Sequence, residues 1–329
     1  MIDAGQLIVF TGLFTAFFVN SFLIYLTLFY ITCIRGIYKY MIVWFAFGCI
    51  IFDLTEFISR PHIHNFNGSL TYFSHTILSE DFLYFWTIFI DIYGGMYCSL
   101  ITIIAVQFIF RYATLLNDTR ILQTFKGKIL WLWVLLVIGV GALFCVTPLI
   151  MLQPDDYADE YVKDEFHRVY SRNITEIARL ILVAYDENNN FRWKNLSYCF
   201  IGAIILNSLY SIIIYCALKM RHNLLKQLEH VSPEYRKLEN QFFKTIIIQI
   251  ALPTIFLTFP MMILLSTPIL NLEVSFNSSI YHWGISFYPS LDSIAVMLIV
   301  SEYKVCIRKI FKCSNTVDTT NQTSLTNFA

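Results

Sequence analysis

Four acidic side chains sit in stretches that are otherwise apolar: Asp53, Glu56, Asp91 and Asp292. No Lys or Arg shares those stretches, so each carboxyl must be balanced by protonation or by polar neighbours. An ionisable group inside a bilayer is costly, and such groups normally face a cavity between helices. Asp53 and Glu56 are three positions apart, which puts both on one helical face. Asp91 lies about nine residues into its apolar stretch, roughly 14 Å deep at 1.5 Å per residue. Asp53, Asp91, Trp283 and Tyr288 are the candidate ligand-binding residues, with the carboxyls hydrogen-bonding a polar small molecule. Bonding between helices is an equal alternative for Asp91 and the favoured one for Glu56, which could also reach the headgroup layer. Trp283 also fits an interface anchor.

Other chemistry is not supported. His62, His64 and His75 have no acidic partner at helical spacing and match no usual zinc site. There is no glycine-rich phosphate loop and no catalytic carboxylate pair, so neither an enzyme nor a metal or cofactor site is expected. The Gly94-Gly95 pair fits close helix approach instead.

The elements that must position these residues follow from composition. Of 329 residues, 57% are apolar and 14% charged, against roughly 25% charged in ordinary soluble domains. Lys and Arg balance Asp and Glu at 23 each, which removes the basic excess expected of a nucleic-acid binder. Seven weakly charged runs are each long enough to span a bilayer as helix: 6–34, 40–58, 82–110, 129–152, 196–218, 245–272 and 280–300. The fold class is thus an all-α, seven-helix membrane bundle in one domain, 1–301, with a tail from 302 to 329. All six Trp fall near a proposed span end, as indole prefers. Sixteen of the 23 Lys and Arg lie in alternate connections and the tail, which puts the N-terminus outside and the tail in the cytosol.

On this topology the exterior connections contain no Cys, so no exterior disulfide framework is expected. Sequons at Asn67 and Asn173 are exterior glycosylation candidates. Cys306 and Cys313 lie among basic residues just past the last span and are candidates for palmitoylation at the lipid surface. The long connection from Gln153 to Asn195 reads as an external lid or solvated loop. Ser232 before Pro233 opens a helix that runs through span six, and Pro253 and Pro260 weaken it on nearly one face, making a bend there.

Several segments, in order along nearly the whole chain, form a pattern: Tyr38-Lys39-Tyr40-Met41, Arg60-Pro61-His62-Ile63-His64 and Phe108-Ile109-Phe110-Arg111-Tyr112. It continues through Tyr185-Asp186-Glu187-Asn188 and Arg192-Trp193-Lys194-Asn195. It is densest at Gln241-Phe242-Phe243-Lys244 with Gln249, Pro253 and Pro260, and then at Tyr288-Pro289-Ser290-Leu291-Asp292. Together these segments resemble the nematode serpentine chemoreceptors of the Str superfamily, class r. The chain departs from the family pattern at Gln107, Ser293 and Lys304. The resemblance implies a plasma-membrane G-protein-coupled receptor of sensory neuron cilia that detects an odorant or pheromone and activates a heterotrimeric G protein. It puts Arg111 and Tyr112 at the coupling surface, and Pro253, Pro260, Pro289 and Asp292 in the conformational machinery. Phe110 stands where rhodopsin-like receptors carry an acid, so any restraint on Arg111 must come from elsewhere, with Glu234 and Glu239 as candidates. A seven-span ligand-gated channel would need the opposite orientation. A transporter would favour internal repeats, and none is evident.

Overall fold

The computed structural model describes residues 4–32, 34, 36–76, 82–227, 233–272, 274–277 and 279–310. Ser232, Cys313 and the side chains of Trp283 and Glu234 fall outside that description. The helices are α1 (Ala4–Phe29), α2 (Ile37–Ser59), α3 (Leu83–Leu116), α4 (Thr119–Thr124), α5 (Leu130–Met151), α6 (Asp156–Tyr170), α7 (Trp193–Gln227), α8 (Pro233–Pro253), α9 (Phe259–Ile269) and α10 (Ser279–Ile299). A further helix, α11 (Ser301–Ile310), turns 93° away from the last part of α10. Among the described residues six helices are long and apolar enough to cross a bilayer, or seven if the bent pair α10 and α11 is counted as one.

Large apolar side chains cover the outside of the bundle. On α5, Trp131, Leu132, Leu135 and Ile138 are all more than half exposed, which a water-facing surface would not tolerate over such an area. The core runs along α3, which packs against α2, α5, α7 and α8. Gly95 lets α3 approach α5 closely, because a Cβ there would stand 2.7 Å from the carbonyl oxygen of Gly141. Gly94 serves no such approach; its Cβ would only touch the Phe144 ring at 3.8 Å.

Span ends differ from the apolar runs for physical reasons. The first helix stops at Phe29, although apolar residues continue to Ile34. Ile31 and Ile34 are apolar because they are buried at the bundle's end, at 2% and 3% exposure, and not because they are helical. Span six is built as expected from a helix starting at Pro233, and a π turn over Thr254–Thr258 interrupts its α-helical ladder. Pro253 has no amide hydrogen to give to the preceding turn, and the backbone widens just beyond it. Pro260 follows directly on the π turn within the same continuous span, and it too has no amide hydrogen to give to the preceding turn.

The segment expected to be a lid or solvated loop is instead part of a folded cap. Strands β1 (Pro61–Phe66), β2 (Ser69–Ser74), β3 (Arg179–Val183) and β4 (Ser275–Asn277) form one antiparallel sheet in the order β3-β2-β1-β4. Asn67 turns the β1–β2 hairpin in a left-handed conformation, φ 46°. Register fixes the two faces: His64 opposes Thr71 and Thr71 opposes Ile181, whereas Ile63 opposes Tyr72 and Tyr72 opposes Leu180. The first face, with Phe73, Ile181 and Val183, is buried under Ala158, Val162 and Phe166 of α6. The second, with Ile63, Leu70, Leu180 and Leu182, packs down onto Leu152 and Leu264 of the bundle. Asp155 caps α6 by accepting a hydrogen bond from the Ala158 amide at 2.9 Å. Arg179 pairs with Asp159, and Arg192 with Asp155, tying α6 to its flanks.

Candidate functional site

Between the sheet and the mid-plane of the bundle lies a cavity of about 510 Å³. Ile63, Leu70 and Tyr72 form its roof; α3 contributes Asp91, Tyr93, Gly94 and Tyr97; α5 contributes Phe144 and Pro148. The remaining walls are α7, from Tyr198 to Tyr210, and span six, from Thr254 to Ile269. The lining is mostly aromatic and aliphatic, the usual composition of a small-molecule site, and its volume falls within the usual range of about 300–1,000 Å³.

Two polar features interrupt that lining. Asp91 is 1% exposed, and neither of its carboxylate oxygens has a hydrogen-bond partner. No Lys or Arg lines the cavity. A buried carboxyl without partners is costly, so a ligand that supplies a hydrogen-bond donor recovers that cost. The second feature is a hydroxyl cluster at the inner end. Tyr210 Oη lies 2.9 Å from Thr254 Oγ1 and 2.8 Å from Thr258 Oγ1, and the Tyr97 hydroxyl also reaches Thr258. This cluster joins α3 and α7 to the π turn, so the floor of the cavity is the π turn of span six.

Of the other candidate ligand residues, Asp53 and Tyr288 do not line the cavity. Tyr288 is fully buried behind Phe52, a lining residue, with ring centroids 6.0 Å apart. Asp53 is buried between helices and its oxygens lack hydrogen-bond partners. Glu56 does not reach a headgroup layer: it accepts a hydrogen bond from Ser286 Oγ at 2.8 Å, linking α2 to α10. Asp292 accepts one from Gln249 Nε2 at 3.2 Å, linking span six to α10, and Pro289 is buried one turn away. Spacing along one helix cannot tell which face meets the cavity, and the helix rotations decided these placements.

At the opposite end of the bundle Arg111 is enclosed. It is 7% exposed, and its guanidinium carbon stands 3.6 Å from the Tyr38 ring centroid and 4.0 Å from that of Phe242. Glu239 lies 3.6 Å from Nη1, an ion pair without a hydrogen bond, while Nε and Nη2 have no hydrogen-bond partner. Tyr112 points instead toward Tyr215 on α7, with centroids 6.1 Å apart. Tyr38 and Phe242 belong to segments singled out by resemblance, but their role as the two walls around Arg111 was not legible before helix packing was known.

On the cap, Asn173 is exposed and Asn67 half-buried in its turn. Beneath α6, His64 Nε2 lies 3.7 Å from Glu165. Burial pushes the His64 imidazole below its ordinary value, against the pull of that carboxylate. Burial also pushes the Glu165 carboxyl up, but hydrogen bonds from Ser275 and Arg168 and the nearby charges outweigh it and hold Glu165 below the usual range. Among the described residues no group of three or more His, Cys, Asp or Glu side chains could hold a metal ion.

Comparison with known proteins agrees with this architecture. The family model for serpentine type 7TM GPCR chemoreceptor Str matches residues 5–308. The chain is 35% identical over 314 residues to a Caenorhabditis elegans protein named G-protein coupled receptor str-33, covering 94% of this chain and 91% of that one. It is 26% identical to serpentine receptor class r-10 of the same nematode and 24% identical to its Caenorhabditis briggsae namesake, each covering 89% of this chain and 87% of the relative. With the matched residues running from the first helix to α11, the chain belongs to the Str family of seven-transmembrane serpentine chemoreceptors.

Proposed function

We propose that this protein is a plasma-membrane chemosensory receptor of sensory neuron cilia that binds a small odorant or pheromone in the cavity beneath the sheet and activates a heterotrimeric G protein from the other end of the bundle. The observation that carries this reading is the cavity: apolar, of small-molecule size, and holding one unpartnered carboxyl at Asp91. In this reading the cap faces the exterior and α11 the cytosol, consistent with the positive-inside excess of Lys and Arg.

The transmission route is span six. A ligand against Leu257, Thr258 and Met261 presses on the π turn, and a shift there swings α8, a rod of 21 residues. Phe242 and Glu239 ride on that rod, about 16 Å and about 21 Å below Pro253 at 1.5 Å per residue. Their withdrawal frees the Arg111 guanidinium and its donors for a partner. Membrane lipid is the second partner: α11, bent across the bundle's end, carries Cys306 with Lys304, Arg308 and Lys309 close to the surface of the membrane.

Calcium or G-protein reporter responses to a panel of small chemicals test the reading. An agonist should be found whose potency Asp91→Asn alters while surface delivery stays intact. Unchanged dose–response curves would return Asp91 to a purely structural role. Epitope accessibility on intact cells tests the orientation, since an exposed C-terminus would contradict it and favour a channel of inverted topology.

A further inference from the structure

The cavity is closed toward the cap and open toward the side. Its roof residues Ile63 and Leu70 are 4% and 2% exposed, and the sheet that carries them is covered in turn by α6. Asn65 Nδ2, fully buried, donates to the Leu264 carbonyl at 2.8 Å and fastens the sheet to α9. By contrast, some lining residues on α7 and α9 reach the outer surface of the bundle. Ala203 and Asn207 are exposed on α7, and Met262 is 64% exposed on α9, yet all three line the cavity.

These residues frame a window. Helix α7 packs chiefly on α3 and α5, whereas α9 packs chiefly on the sheet and the π turn, so neither is the other's main packing partner. Its inner edge is the pair of hydrogen bonds from Tyr210 to Thr254 and Thr258. At its outer edge Tyr185 Oη donates to the Ile269 carbonyl at 2.7 Å. Between those edges the flanks are mainly apolar side chains, Asn207 and Ser266 apart, and on the seven-span reading they lie at the depth of the bilayer, where the surrounding solvent is lipid acyl chain.

We propose that ligand enters the cavity sideways from the bilayer, between α7 and α9, so that the receptor samples lipophilic molecules already dissolved in the membrane. The proposal rests on the cavity being the agonist site. It adds the class of ligand: a compact, mainly apolar molecule that partitions into lipid and carries at most a small hydrogen-bonding group for Asp91. A highly charged, membrane-excluded solute has no route in. The carboxyl would select among entrants by a donor group, since it is the polar side chain on the α3 wall that lacks any partner.

Access can be read without knowing an agonist. Gly94 lines the cavity on α3, and a Cβ there makes only ordinary contact with Phe144, so Gly94→Cys places a thiol inside without distortion. In nanodiscs, that thiol is exposed either to N-(1-pyrenyl)maleimide, which partitions into lipid, or to a trimethylammonium methanethiosulfonate, which stays in water. Peptide mass spectrometry follows each site, with native Cys306 on α11, freed of any acyl chain by hydroxylamine beforehand, as the internal reference. The maleimide should label the cavity thiol and the charged reagent should not. Ala203→Trp or Met262→Trp, added as plugs, should slow maleimide labelling by an order of magnitude. Ile204→Trp, 66% exposed on α7 but outside the lining, should not. Labelling by the charged reagent at a comparable rate, or labelling unaffected by either plug, would overturn lateral entry. So would failure of the maleimide to reach the cavity thiol while it labels Cys306. Because the assay reads access alone, an absence of agonist responses in cells would count against the receptor reading and not against the window.

Discussion

The enclosure of Arg111 gives the most quantitative expectation. Phe242→Leu removes one aromatic wall but keeps an apolar side chain of similar reach, so the helices stay packed while the ring under the guanidinium is lost. A desolvated cation–π contact contributes about 2 kcal/mol, and the Arg111 guanidinium is almost wholly shielded from water. If the enclosure holds the resting arrangement, its loss shifts the balance toward the active one by about 1–2 kcal/mol, a factor of about 5–30 in population. Basal G-protein reporter activity, normalised to surface receptor, should therefore rise at least several-fold. Tyr38→Leu should act in the same direction, because its ring lies closer still, 3.6 Å from the guanidinium carbon. Glu239→Gln should have a smaller effect, since its carboxylate stands 3.6 Å away and makes no hydrogen bond to Arg111. Arg111→Lys separates restraint from coupling: lysine keeps an interfacial charge but not the planar fork, so coupling should fall with surface level and agonist binding intact. Basal activity unchanged in both Phe242→Leu and Tyr38→Leu, at normal surface level, would refute the restraint. Normal coupling in Arg111→Lys would reduce Arg111 to a membrane anchor.

Three further outcomes follow from the packing and the cap. Gly95→Val must push α3 from α5, an overpacking that costs about 1–3 kcal/mol, and should lower thermal stability in detergent, whereas Gly94→Ala should leave it nearly unchanged. Acid should loosen the cap: His64 and Glu165 both titrate below their ordinary values, so each contributes stability that is complete above its unfolded-state pKa and lost as pH falls through its folded-state pKa. Protection of the β1 and β4 amides, with the intrinsic slowing of exchange at low pH divided out, should fall as pH is lowered from about 7 toward about 4, and unchanged protection would contradict the pairing. Cys306 and Cys313 are expected to carry thioester-linked acyl chains, and absence of hydroxylamine-sensitive acyl exchange at both would exclude this.

Composition and periodicity determined the membrane bundle, because a bilayer imposes one condition on every residue of a span: no polar backbone left unpaired and few charges. The same condition made Asp53, Glu56, Asp91 and Asp292 visible as exceptions, and proline chemistry singled out Pro253 and Pro260, the first of which immediately precedes the π turn. The sequence could not rank those four acids, since only the rotation and packing of the helices put Asp91 in a cavity, Glu56 against Ser286 and Asp292 against Gln249. The cap was hidden for a different reason. Its strands are short, lie far apart in the chain except for the β1–β2 hairpin, and draw stability from one another, so β4 near residue 276 meets β1 near residue 65 only through tertiary pairing. The aromatic walls around Arg111 were equally illegible, because Tyr38 and Phe242 come from opposite halves of the sequence and acquire their role only when α2 and α8 meet beside α3. Local chemistry thus determined which residues could act, and long-range packing decided which of them share a site.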